Sequence, residues 1–270
     1  MTPRPLSLAV LAAVATACGE GAPTQVEINE ARDRVDVALG AATQVRAGLE
    51  LLGLLPVYTC GNPRRSFVGQ ATESLQAQVG CVTASTEALD ASTDAVVLSF
   101  AEAGCEVRGH TVTGQAAFRY SGGEDRMEMK ADLRGLQVDG DSLQVEVGYG
   151  TCGDESRYYA LAEGTLPRRS EYTYRVDGQV GVREGLPVLG GTTLVFNGPG
   201  EFHGPAGTNR LTFTELEYEL GEYAPKEGEA LLETADGRTV KASFSPALWR
   251  LGKMELTVDG RDPVTVPIVR

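Results

Sequence analysis

The chain has few of the residues from which catalytic and metal sites are usually built. Its 270 residues include only two histidines, His110 and His203, and a single tryptophan. Neither histidine has a short-spaced metal-ligand partner, so the pair carries little signal for a metal centre. The Gly-x-Ser-x-Gly and Ser-x-x-Lys motifs of serine enzymes are missing. We therefore predict no metal site, no cofactor and no catalytic residue.

Positive charge is also scarce. The chain has 24 Lys and Arg against 37 Asp and Glu, a formal net charge of −13. Because such a surface repels phosphate groups, we predict no nucleic-acid partner and no docking by charge alone onto anionic lipid headgroups. The 33 glycines exceed the usual share and favour a fold with many tight turns.

The N-terminal apolar run is too short to cross a bilayer. It covers Leu6–Ala15, about ten residues, whereas a spanning helix needs about 20. Arg4 precedes it and small residues follow it. These features predict a signal peptide over residues 1–17.

The leader ends in Ala15-Thr16-Ala17-Cys18, which resembles the lipobox of bacterial lipoproteins. In that family a cysteine after small residues is acylated and becomes the first residue of the mature chain, although Ala15 stands where the family prefers leucine. The resemblance implies that Cys18 is lipidated and that residues 18–24 form an anchor and tether. Gly19 after the cysteine implies the outer membrane or the cell surface, with the protein facing the periplasm or the outside. The alternative is cleavage after Ala17 as an ordinary secreted protein.

The other four cysteines predict structural disulfides in an oxidising compartment. They are Cys60, Cys81, Cys105 and Cys152, and none forms a Cys-x-x-Cys motif. Four cysteines allow three pairings, and the sequence alone does not choose among them. We favour Cys60–Cys81 and Cys105–Cys152, because each pair lies within one segment.

Helical periodicity dominates residues 25–94, which we interpret as a helical accessory segment. Apolar residues recur every three or four positions from Gln25 to Leu55, and more weakly from Ser66 to Val79. Arg46 and Glu50 lie off the apolar stripe of the first helix. That helix could lie on the membrane, but its polar face mixes both charge signs, which favours packing against the rest of the protein.

Residues 95–270 have the alternation of a half-buried antiparallel sheet. Met127, Met129, Ala131 and Leu133 alternate with charged residues, and Leu143–Tyr149 repeats the pattern after a turn. About ten strands follow one another closely. The fold class predicted is mainly β, an antiparallel meander forming a sandwich or partly open barrel, with the helical segment on one face or end. Aromatic girdles are missing, which disfavours an outer-membrane barrel.

Turn sequences and one local resemblance complete the prediction for the sheet. The phrase Val-Asp-Gly occurs at 138–140, 176–178 and 258–260, and Asp236-Gly237 suits a type I′ hairpin turn. We interpret the three phrases as the same kind of turn, recurring between strands of the meander. The strand-Gly-Cys-strand sequence Val96–Gly114 resembles uncharacterised β-rich secreted lipoproteins, and this resemblance implies a fold class only.

Other candidate sites have structural interpretations that we favour. Gly153-Asp154-Glu155-Ser156 contains a serine without an assigned base, and Asp139-Gly140-Asp141 lacks the spacing of a calcium loop. The aromatic residues could line a ligand groove, but core packing is the favoured interpretation. They are Tyr149, Tyr158, Tyr159, Tyr172, Tyr174, Phe196, Phe202, Phe213, Tyr218, Tyr223 and Trp249.

These observations predict a lipid-anchored, extracytoplasmic envelope protein with a non-enzymatic binding or structural role. Its expected partners are the membrane, through the anchor, and an envelope protein, lipid or glycan. One alternative is a carrier or chaperone for lipid or lipoprotein, which requires an apolar cavity of several hundred Å³ under the sheet. A second alternative is an envelope hydrolase, which requires clustered His, Ser or acidic side chains in a cleft.

Overall fold

The computed structural model describes residues 21–52, 54, 58, 60–107, 109–123, 126–151, 157–183, 193–219, 224–245 and 252–268. Two helices come first, α1 (Gln25–Leu52) and α2 (Arg64–Gln78). Fifteen strands follow: β1 (Val82–Ala88), β2 (Thr93–Val107), β3 (His110–Gly123), β4 (Arg126–Asp132), β5 (Leu136–Val138), β6 (Asp141–Ser142), β7 (Val145–Thr151), β8 (Arg157–Leu166), β9 (Arg169–Arg183), β10 (Thr193–Gly204), β11 (Gly207–Glu219), β12 (Glu227–Glu233), β13 (Thr239–Phe244), β14 (Lys253–Val258) and β15 (Val264–Pro267).

The strands form one antiparallel sheet in which neighbours along the chain are neighbours in space. The path runs β1-β2-β3-β4-β7-β8-β9-β10-β11-β12-β13-β14-β15, while β5 pairs with β3 and with β6. Within the described ranges no pairing joins β1 to β15, so the sheet is open. The predicted mainly β fold, an antiparallel meander with an N-terminal helical segment, is confirmed.

The sheet is larger than the sequence indicated. It has fifteen strands instead of about ten, and it begins at Val82 instead of Ala95. The reason is visible in β1, where every residue after Ala84 is exposed. An edge strand that is exposed on both faces has no apolar alternation, and the strand is therefore hard to recognise from its pattern.

The alternation seen in the sequence does place side chains on two faces. Met127, Met129 and Ala131 of β4 are fully buried, whereas Lys130 between them is exposed. The inner side chains of the sheet form one hydrophobic core together with apolar side chains of both helices. The helical segment and the sheet therefore share a single core.

Two of the three Val-Asp-Gly phrases form turns of the same geometry. Asp139 and Gly140 have φ of 53° and 83°, and Asp259 and Gly260 have φ of 52° and 71°. Positive φ at both central residues is the signature of a type I′ turn. Asp and Gly are among the few residues that adopt it at low cost.

The third phrase and the predicted Asp-Gly hairpin differ from expectation. Val176 to Gly178 lies inside β9, where Gly178 faces Ala160 of β8. A side chain at Gly178 would come within 2.5 Å of the Phe196 ring, so the glycine makes room for an aromatic residue. In the β12–β13 hairpin Gly237 has φ of 83° but Asp236 has no positive φ, so this turn is not type I′.

Helix α1 begins with a capping box and then becomes buried. Glu27 Oε2 accepts a hydrogen bond of 2.8 Å from the Thr24 backbone N–H, and Thr24 Oγ1 accepts one of 3.4 Å from Glu27 N–H. Arg46 and Glu50, expected on the polar face, are only 7% and 5% exposed. Both side chains are buried because the sheet packs against more of the helix than its apolar stripe covers.

Helix α1 crosses the strands at one end of the sheet. In an antiparallel meander alternate connections lie at the same end. We call "helix end" the end with the β2–β3, β4–β7, β8–β9, β10–β11, β12–β13 and β14–β15 connections, and "far end" the other. From its start to its finish α1 contacts Arg261, Asp236, Arg169, Leu166, Val145 and His110, which belong to successive parts of the helix end.

Helix α2 packs along β1, β2 and β3. Its first residue, Arg64, donates to Asp94 at 2.6 Å and to the Gly122 carbonyl at 2.8 Å, both at the far end of the sheet. Phe67 and Leu75 carry its buried face. Neither α1 nor α2, the two described helices, is long and apolar enough to cross a membrane. Packing of both against the sheet, the interpretation favoured from the sequence, is confirmed.

Candidate functional site

A line of charged side chains lies where α1 ends. Arg46 and Glu50 are one helical turn apart, and Arg46 Nη1 is 3.4 Å from Glu50 Oε1. Glu50 Oε2 lies 3.3 Å from His110 Nε2 at the start of β3. A buried carboxylate needs partners of this kind, because an unpaired charge in the interior is costly.

The imidazole of His110 bridges two carboxylates. Its Nδ1 lies 2.7 Å from Oδ2 of Asp139, which is in the turn between β5 and β6. Asp139 Oδ1 accepts a 2.9 Å hydrogen bond from the Thr111 N–H. Burial acts to raise the pKa of Asp139, but the hydrogen bonds from His110 and Thr111 outweigh it and hold that pKa below its ordinary value. We call Arg46, Glu50, His110 and Asp139 the His110 cluster.

The space beside the His110 cluster is small. A cavity of about 10 Å³ lies against Glu50 and His110, which is room for roughly one water molecule. The hydroxyl group nearest in sequence, on Thr111, donates to Glu106 at 2.7 Å. An open depression of about 340 Å³ lies nearby, between the end of α2 and Glu106. The cluster is therefore suited to fastening the end of α1 to the sheet.

The beginning of α1 is fastened in a comparable way. Glu27 accepts hydrogen bonds of 3.1 and 2.9 Å from Arg261, and Arg238 Nη1 lies 3.6 Å from the same carboxylate. The hydrogen bonds from Arg261, followed by those from Thr24, lower the pKa of Glu27 to about 2. We call Glu27, Arg238 and Arg261 the Glu27 cluster.

The two clusters share one local design. Asp139 exchanges backbone and side-chain hydrogen bonds with Thr111, and Asp259 does the same with Thr239, at 2.8 and 2.9 Å in both cases. The residue before each threonine, His110 or Arg238, reaches a glutamate of α1. Each type I′ turn therefore positions a basic side chain against one end of the helix.

The disulfide pairing favoured from the sequence is wrong. Cys81 is bonded to Cys105, with their Cα atoms 5.6 Å apart. The bulge in β2 between Phe100 and Cys105 brings Cys105 beside the start of β1. Proximity across a sheet therefore outweighs closeness along the chain. Cys60 is also disulfide-bonded, and its partner is outside the described residues.

The remaining predicted site residues are not brought together. His203 lies in β10 and contacts Thr208 and Glu201, whereas His110 has different partners. In the described ranges no group of three or more His, Cys, Asp or Glu side chains is placed to hold a metal ion. Asp139 and Asp141 face His110 and Arg168 respectively. Cys18, Cys152 and the Gly153–Ser156 segment lie outside the described residues.

The aromatic residues are mostly part of the core. Those that are nearly inaccessible are Tyr149, Tyr174, Phe196, Phe202, Phe213 and Tyr218. Phe196 and Phe213 pack with ring centroids 5.3 Å apart, and Tyr172 and Phe202 with centroids 6.0 Å apart. The favoured core interpretation is confirmed for these residues. Tyr223 and Trp249 lie outside the described part of the chain.

Sequence reasoning missed the partnership of Arg46 and Glu50 with His110. The available signal was the i, i+4 spacing of opposite charges among the apolar residues Val45, Leu49 and Leu51. Such a pair on a helix is usually solvated. Its burial depends on strands more than 50 residues away in the chain.

The fold and the two clusters define an open antiparallel meander that is braced at one end by a crossing helix. No protein-family model matches the chain. No curated protein and no solved structure is significantly similar to it.

Proposed function

We propose that the protein is a lipid-anchored, extracytoplasmic envelope protein with a non-enzymatic structural or binding role, located at the outer membrane or cell surface. The observation that carries the proposal is the sequence Ala15-Thr16-Ala17-Cys18, which follows an apolar leader. Only six residues separate Cys18 from the start of α1. The anchor is therefore joined closely to the folded body.

The Cys81–Cys105 disulfide supports an extracytoplasmic location. Structural disulfides form and persist in oxidising compartments, and they are rare in the cytosol. Cys105 is fully buried, which is typical of a structural cysteine. An export signal and an internal disulfide therefore favour the same kind of compartment.

The packing of α1 supports a structural role over a carrier role. A carrier needs an apolar cavity of several hundred Å³ between helix and sheet. Val35 and Ala38 in the middle of α1 are fully buried. The cavity beside Glu50 and His110 holds about 10 Å³. Both ends of α1 also have polar contacts with the sheet, so opening the interface would break the Glu27 and His110 clusters.

The anchor is tested by the mass of the mature protein. The full-length gene is expressed in a bacterium that processes lipoproteins, and the N-terminal peptide is analysed by mass spectrometry. We expect the mature chain to begin at Cys18 and to carry acyl mass. A chain that begins at Cys18 without acyl mass would refute lipidation and support a secreted protein.

Membrane fractionation with two leader variants provides the matched comparison. Cys18→Ser removes the acylated atom, so we expect this variant to leave the membrane fraction. Thr16→Ala keeps a small residue in the lipobox-like sequence and should remain membrane-associated. Equal partition of wild type and Cys18→Ser would contradict the anchor.

The structural role is tested separately from the anchor. Native mass spectrometry of the detergent-extracted protein should show the chain with its covalent lipid only. A further lipid bound one to one with the body would contradict the filled helix–sheet interface and favour the carrier.

A further inference from the structure

The short tether restricts how the body can lie on a membrane. Cys18 is three residues before Gly21, the first described residue, so it lies within about 11 Å of it by chain length. Pro23 is already buried, and the Thr24 N–H is bonded to Glu27. The chain is thus fixed to the body almost immediately after the lipidated residue.

The point of attachment is at the helix end of the sheet. Glu27 contacts Arg261 in the β14–β15 connection, and Arg34 contacts Asp236 in the β12–β13 connection at 3.2 Å. The β10–β11 connection adjoins the latter, because a side chain at Gly207 would come within 2.9 Å of Ala235. The far end is separated by the length of the strands. For the 12 residues of β10 this is roughly 40 Å.

We propose that the helix end of the sheet is a membrane-facing surface, seated on the phospholipid bilayer that holds Cys18, and that the far end projects away from it. This inference rests on the proposed lipid anchor and adds the orientation of the body. The short tether and its attachment beside Arg261 at the helix end support it. The far end is then the surface that is free to meet other envelope components.

The orientation is tested by energy transfer from tryptophan to dansyl-labelled lipid headgroups in vesicles. A Trp249→Phe background removes the single natural tryptophan. Ala206→Trp and Ala91→Trp then place a probe on exposed alanines of the β10–β11 and β1–β2 connections, at the helix end and the far end respectively. The lipidated full-length protein is reconstituted into phosphatidylcholine vesicles containing phosphatidylglycerol.

We expect transfer to be at least about three-fold more efficient for Ala206→Trp than for Ala91→Trp, since the strands hold the two ends roughly 40 Å apart. Equal transfer, or stronger transfer from Ala91→Trp, would overturn the orientation.

A Cys18→Ser control separates failure of the orientation from failure of the anchor. If this variant binds vesicles as well as the wild type does, the proposed anchor is wrong and the orientation falls with it. If only the wild type binds but the transfer ranking is reversed, the anchor stands and the orientation alone is wrong.

Discussion

His110 Nδ1 lies 2.7 Å from Asp139 Oδ2, and this contact fastens the end of α1, because the same imidazole reaches Glu50 of the helix at 3.3 Å. At the other end of the helix Arg238, which precedes Thr239, reaches Glu27. The fold thus uses one turn design twice to hold a helix that crosses the sheet.

Loss of either cluster should loosen one end of α1 and leave the other unchanged. His110→Gln should increase amide hydrogen exchange in the last two turns of α1, and Arg261→Gln should do so in the first two turns. Each variant loses hydrogen bonds to a carboxylate, so we expect the protection of the amides in that part of α1 to fall by roughly five-fold. Uniformly faster exchange along α1 in both variants would contradict separate fastening.

Acid should remove the contribution of Glu27. Hydrogen bonds from Arg261 and Thr24 lower the pKa of Glu27 from 4.5 to about 2. A lowered pKa in the folded state means that the stabilisation is fully present above pH 4.5 and is lost as the pH falls toward 2. Glu27→Gln should therefore be less stable than wild type at pH 7 and nearly equal to it near pH 2, as measured by denaturant unfolding. Glu30→Gln, an exposed change on the same helix, is the control. A wild-type advantage over Glu27→Gln that is the same at both pH values would show that the carboxylate charge is irrelevant.

Two glycines of α1 should respond oppositely to alanine. A Cβ at Gly48 would lie 2.8 Å from Val145 Cγ1, whereas one at Gly40 would meet Leu166 at an ordinary 3.4 Å. Gly48→Ala should cost about 1–3 kcal/mol through overpacking. Gly40→Ala should stabilise by up to about 1 kcal/mol through helix propensity. Thermal unfolding of the two variants checks the signs, and a stabilising Gly48→Ala would mean that α1 does not approach β7 this closely.

Removing the hydroxyl of Tyr120 should not destabilise the protein. This hydroxyl is buried and has no hydrogen-bond partner in the described part of the chain. Burial, followed by the nearby Tyr149, raises the pKa of Tyr120, so the group stays neutral. Tyr120→Phe should stabilise by about 1 kcal/mol, because an unsatisfied buried polar group is costly. Tyr174→Phe is the matched control, since Tyr174 donates to the Gln144 carbonyl at 3.2 Å. Tyr174→Phe should lose this hydrogen bond and destabilise the protein by about 1 kcal/mol. Urea unfolding of both variants measures the two changes. Destabilisation by Tyr120→Phe as well would reveal a hydrogen-bond partner for Tyr120.

The remaining disulfide should join Cys60 to Cys152. Cys81 and Cys105 are paired with each other, and Cys60 is disulfide-bonded. If Cys18 carries lipid, Cys152 is the one cysteine left. Non-reducing peptide mapping should recover a Cys60–Cys152 crosslinked peptide that disappears on reduction. A Cys18–Cys60 crosslink would contradict both the pairing and the lipid anchor.

The sequence by itself determined the features that depend on local periodicity. Hydrophobic spacing gave the starts and ends of both helices to within three residues, and the alternating strands from Met127 onward. That spacing records which face of an element is buried. Of the three turns predicted at the Val-Asp-Gly phrases, those at Asp139 and Asp259 are present, whereas Val176–Gly178 lies inside a strand.

The tertiary structure alone decided the features that join distant parts of the chain. The Cys81–Cys105 bond, the burial of Arg46 with Glu50, and the place of Gly178 under Phe196 depend on which strands become neighbours. The hydrophobic pattern of one segment does not indicate which strands will lie beside it. An Asp-Gly pair or an i, i+4 ion pair has the same sequence whether it lies on the surface or in the interface between α1 and the sheet. The physical difference is burial, which exists only once the strands have paired with one another and packed against α1.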